Sequence, residues 1–68
     1  MNKHLLYYQM KMKNVSVDDL CKQVGFSRSA FYRKVSGKRQ FTLDEIKKIV
    51  DVLHLSSPMN IFFAEEVS

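Results

Sequence analysis

Cysteine is nearly missing: Cys21 is the only one, so no intrachain disulfide can form and no multi-cysteine metal site can be built. A reducing cytoplasm suits such a chain. No apolar run approaches the roughly 18 residues needed to cross a bilayer, and Leu5-Leu6-Tyr7-Tyr8 is too short for a signal-peptide core, so the expected location is the cytosol. Catalytic groups are equally scarce. The two histidines fall on separate segments, no glycine-rich phosphate loop is present, and the carboxylates form no pair suited to a cleft. No enzyme activity, metal, cofactor or small-molecule ligand is expected, and His4, one turn from Tyr8, is read as ordinary surface or half-buried packing. No repeat, low-complexity tract or linker interrupts the 68 residues, which are read as one domain, 1–68, with a core that must be small and efficiently used.

The most informative absence is local. Between Leu20 and Leu43 there is no acidic residue, whereas Lys22, Arg28, Arg33, Lys34, Lys38 and Arg39 all lie there. The formal net charge of +4 and a pI near 9.4 favour an anionic partner without choosing among DNA, RNA and lipid headgroups. The concentration of charge on one central segment is the sharper signal.

What is present reads as helices. Leu5, Leu6, Gln9, Met10 and Lys13 recur at about one turn, which predicts a first helix from Lys3 to Lys13, with Asn14 as a left-handed terminator. Ser16-Val17-Asp18-Asp19 resembles a capping box and puts two acids where the helix dipole favours them. Val17, Leu20, Cys21 and Val24 then form a complete i, i+3, i+4, i+7 stripe, with Cys21 as a small buried residue and not a reactive thiol. Gly25 is expected to end this helix at positive φ, Phe26 to pack in the turn and Ser27 to cap the next helix. So short a connection predicts two helices crossing steeply, a helix-turn-helix over residues 17–36. On the second of them Phe31 and Val35 face inward, flanked by Ala30 and Lys34, while Ser29, Tyr32, Arg33 and Ser36 face out with Arg28 at the edge.

Gly37 closes that helix, and Lys38-Arg39-Gln40 makes a basic loop before Phe41. Thr42-Leu43-Asp44-Glu45 is a full capping box, followed by Ile46, Ile49, Val50 and Leu53 as a buried stripe and by Lys47, Lys48 and Asp51 as a solvated face. His54 is expected to interact with the last carbonyls of this helix. Ser57-Pro58 marks a fifth short helix, about 58–66, with proline at its first position. Its apolar residues Met59, Ile61, Phe62, Phe63 and Val67 exceed one stripe, which predicts that some close the core and that Ile61, Phe62 and Phe63 provide a self-association surface. Residues Glu65 to Ser68 are expected to fray.

Several of these residues resemble one known family. Leu20-Cys21 stands where the Cro/repressor-type helix-turn-helix family (the xenobiotic response element family) has Leu-Ala, Gly25 stands at its turn glycine, and Ser27-Arg28-Ser29 at the start of its recognition helix. Phe31 takes its aliphatic anchor position and Ser36-Gly37-Lys38 its closing Asn-Gly-Lys. The likeness runs over most of the chain and implies an all-α, five-helix, lambda-repressor-like DNA-binding fold. Within the family, Arg33 to Lys38, Phe41-Thr42, Glu45-Ile46 and Ile61-Phe62-Phe63 look most like small regulators of phages and prophages of low-GC bacteria. Val17 departs from a frequent Gln whose side chain reaches a phosphate, so that contact should be absent. Lys34 and Val35 depart from a large apolar residue and Glu, and Lys34 is expected to lay its stem on the core edge and aim its ammonium at the DNA backbone.

The resemblance implies a homodimeric regulator, at least when on DNA, that binds a palindromic double-stranded operator and represses by occluding a promoter. Base readout is assigned to Ser27, Arg28, Ser29, Tyr32 and Arg33, with Arg33 as the bidentate partner of guanine. Backbone contacts are assigned to Ser16, Lys34, Ser36, Lys38, Arg39 and Gln40. Two other readings compete: a solvated basic face with no partner, and a modulator or antirepressor of the same fold that binds another regulator. Membrane association through Ile61-Phe62-Phe63 is disfavoured by the adjacent Glu65 and Glu66.

Overall fold

Short apolar stripes, each opened by a hydrogen-bonding cap, produce five helices in the computed structural model, which describes residues 1–63. They are α1 (Lys3–Met12), α2 (Val17–Val24), α3 (Arg28–Val35), α4 (Leu43–Leu53) and α5 (Met59–Phe62). The first four starts share one chemistry, a side-chain oxygen accepting from an N–H three residues on. Asn2 accepts from Leu5 at 3.0 Å, Ser16 from Asp19 at 3.1 Å and Ser27 from Ala30 at 3.1 Å. Thr42 and Glu45 make the full reciprocal box at 3.1 and 2.9 Å, whereas the shorter arm of Asp19 makes no return bond. Each such cap stabilises its helix by about 1 kcal/mol.

The ends are set by left-handed residues. Asn14 (φ 59°) follows α1 as expected, and Gly25 (φ 99°) and Gly37 (φ 89°) close α2 and α3. His54 corrects an expectation: its backbone, at φ 52°, is itself the left-handed cap of α4, its N–H reaching the Val50 carbonyl, and its side chain is exposed. Pro58 also lies one place earlier than expected, at the N-cap of α5, and Phe63 caps the other end. The expected continuation to residue 66, the apolar Val67 and the fraying of Glu65 to Ser68 lie outside the described residues.

All five helices contribute to one core: Leu6 and Met10, Leu20, Cys21 and Val24, Phe31 and Val35, Ile49 and Leu53, and Ile61. Ile46, Val50 and Val17, expected on the stripes, are half-buried at its margin. Phe31 is its centre, fully enclosed, with the rings of Tyr7, Phe26 and Phe41 at 6.3, 6.1 and 6.4 Å between centroids. α2 packs on both α3 and α4, and α1 packs on α5. A backbone bond of 2.7 Å from the Asn2 N–H to the Ile61 carbonyl ties the start of α1 to α5. No helix among the described residues is long and apolar enough to cross a membrane.

Candidate nucleic-acid interface

The turn between α2 and α3 is built from the backbone. The N–H groups of Gly25 and Phe26 both reach the Cys21 carbonyl, at 2.8 and 3.2 Å, which folds the chain back sharply. A Cβ on Gly25 would meet nothing within 4 Å, so glycine is needed there for its φ of 99° and not for space. Phe26 packs half-buried against Phe31 and Phe41, and with the Ser27 cap this fixes where α3 begins. Phe31 and Val35 anchor the inner side of α3, and the outer side presents Arg28, Ser29, Tyr32, Arg33 and Ser36, all exposed.

The outer groups differ in how far each is already engaged. Ser29 and Arg33 make no side-chain hydrogen bond or ion pair with other described residues. The hydroxyls of Ser16 and Ser27 accept cap bonds and keep their own hydrogens for a further acceptor. Ser36 instead donates to the Arg33 carbonyl at 3.0 Å, so a phosphate contact would require it to give up that bond. Arg28 pairs through Nε with Asp18 Oδ1 at 3.3 Å, both side chains being about three-fifths exposed. Hydrogen bonding to Tyr32 first, and the Asp18 carboxylate second, raise the guanidinium pKa. Asp18 was invisible as a site residue in the sequence, where it counts only as a favourable first-turn acid on α2.

Lys34 departs from expectation. Its stem does lie at the core edge, but its ammonium turns inward, 3.0 Å from Glu45 Oε1 and 3.3 Å from the Gln40 carbonyl, and 6.0 Å from the centre of the Phe41 ring. The side chain is only 10% exposed, so Lys34 is withdrawn from the backbone-contacting set. Burial pushes the Glu45 carboxyl up, but the Thr42 N–H and the Lys34 ammonium outweigh it and hold the group below its ordinary value. The clamp joins α3 to the capping box of α4 and holds the intervening loop. That loop is also tied back by the N–H groups of Lys38 and Arg39, which reach the Arg33 carbonyl at 3.0 and 3.3 Å. Lys38, Arg39 and Gln40 are left exposed beside the C-terminal end of α3.

The three apolar residues expected to self-associate separate completely. Ile61 is 2% exposed and belongs to the core, which removes it from any interface. Phe62 is half-buried, its ring edge-on to Phe41 at 5.5 Å. Phe63 is half-exposed, and Met59 is exposed near it in sequence. An open cleft of about 350 Å³ lies between this end and the basic loop, lined in part by Arg39, Phe41, Phe62 and Phe63. Cys21 is buried; burial first and the Asp18 charge second push its thiol up against a smaller opposing effect of Arg28, so it stays protonated at neutral pH. Val17, half-buried against the core, has no polar side-chain group to offer a phosphate.

A sequence model of the Cro/C1-type HTH DNA-binding domain matches residues 6–61, well over half of the chain. No curated protein and no solved structure matches it.

Proposed function

The chain belongs to the Cro/C1-type helix-turn-helix DNA-binding family, and from that premise we propose that it is a single-domain, Cro-like repressor of phage type, acting by binding and not by catalysis. The observation that carries this reading is the outer side of α3: guanidinium, phenol and hydroxyl groups without an acid among them, on a helix whose inner side is locked by Phe31 and Val35. Such groups match the donor and acceptor pattern of base edges in a major groove. Arg28, Ser29, Tyr32 and Arg33, with Ser27, supply readout, while Ser16, Ser36, Lys38, Arg39 and Gln40 hold phosphates.

A two-fold operator requires two copies with recognition helices roughly 34 Å apart. Exposed Phe63 and Met59 support the C-terminal end as the place where the copies meet. The same exposed side chains, with Leu43 at 70% exposure, favour the second reading, a modulator that grips another regulator. Selection from randomised duplexes, with sedimentation at several concentrations, separates the two. A two-fold symmetric enriched sequence and a concentration-dependent dimer are expected. Weak, sequence-indifferent binding would sink the repressor reading in favour of the modulator.

A further inference from the structure

Among the described residues Asp18 is the one acid that pairs with a readout side chain. It reaches across the turn from α2 to Arg28 at the first position of α3, and neither side chain is buried. An ion pair this open to water adds little to folding. Its geometry has a different use. Of the five N–H groups of a guanidinium, the one on Nε is taken by Asp18 at 3.3 Å. Tyr32 engages one more, and the three that remain can still offer one hydrogen from each terminal nitrogen to an outside acceptor, while a long side chain that would otherwise sample many rotamers is held near one. Tyr32, one turn along the same helix, faces the same side.

We infer that Asp18 is a positioning residue for sequence recognition: it grips Arg28 by Nε so that the two terminal nitrogens meet O6 and N7 of a guanine end-on. This assigns the strongest base contact to Arg28 in place of Arg33, whose guanidinium has no ion-pair partner among the described residues. The inference rests on the DNA-binding reading. It also carries a signature that a merely structural acid lacks, because Asp18 repels phosphates: removing it lowers discrimination without lowering affinity for unrelated DNA.

The test is selection from randomised duplexes by the full chain, its Asp18→Ala and Asp18→Asn variants, Arg28→Ala, and the Asp18→Ala/Arg28→Ala double variant, with thermal melts to confirm folding. Asp18→Ala should lose about tenfold preference at one G·C pair per half-site, the worth of a good bidentate contact, while binding to a scrambled duplex holds or tightens. Asp18→Asn, whose amide oxygen still accepts from Nε, should recover part of the preference, and in the Arg28→Ala background Asp18→Ala should change nothing further. An unaltered preference in Asp18→Ala overturns the inference, as does a sharpened one, which would make Asp18 a competitor for Arg28. If the unmodified chain itself enriches no sequence, the DNA-binding reading falls and takes the inference with it.

Discussion

Among the described residues two ion pairs fasten α3 to its neighbours, one at each end, and they behave oppositely. At the N-terminal end Arg28 and Asp18 meet in water, about three-fifths exposed on both sides. At the C-terminal end Lys34 and Glu45 meet at 10% and 21% exposure, over an aromatic ring and inside a capping box. Partial desolvation makes the second pair a structural joint, since either charge left alone there has little water to replace its partner. The first lies in water, where Arg28 can add a base edge to the Asp18 contact it already makes. Charge of the same kind thus holds one end of the helix in place and leaves the other available.

The largest effect should come from removing what both ends rest on. Phe31→Ala should destabilise by about 3–5 kcal/mol, enough to abolish a cooperative urea transition in so small a chain. Next, Lys34→Met, which keeps the stem and deletes the ammonium, should cost about 1–2 kcal/mol, between the exposed and buried limits for ion pairs. Arg28→Ala should leave the urea midpoint unmoved. Equal losses in these two variants would erase the contrast between the pairs.

Acid should weaken the joint between Lys34 and Glu45. Because Glu45 is held below its ordinary value, its contribution is complete above the unfolded pKa of about 4.3 and disappears as pH falls through the lower folded value. Urea midpoints across that range should therefore drop more steeply in the unmodified chain than in Glu45→Gln. The smallest effect on folding, yet a clear one on binding, belongs to the loop that the joint holds. Lys38→Ala should melt like the unmodified chain, weaken all duplexes alike and lower the salt slope by about one. A sequence-dependent loss would place Lys38 among the readout residues.

The parts of the fold that were legible in the sequence are those decided within one or two turns. Ser16, Ser27 and Thr42 announce their helices, Gly25 its turn, and the spacing of Phe31 and Val35 the inner side of α3. What escaped depends on where a long side chain finds its partner. Lys34 reads as a cation beside other cations until Glu45, eleven positions away, is folded beneath it. Ile61, Phe62 and Phe63 are equally apolar, and in a helix as short as Met59–Phe62 no periodicity tells the buried one from the exposed one. Asp18 and Arg28 meet only because Gly25 reverses the chain between them.

The bond between Asn2 and Ile61 links residues separated by nearly the whole described chain. The packing of α2 on α3 and on α4 closes shorter stretches of chain and forms sooner. Closing the ring through α1 and α5 loses the most chain entropy for its contacts. It is the natural late step in folding and the natural first site of opening. In hydrogen exchange the Asn2 amide should report that opening while the amides of α2 stay protected, so the readout surface can remain assembled after the ends of the fold have come apart.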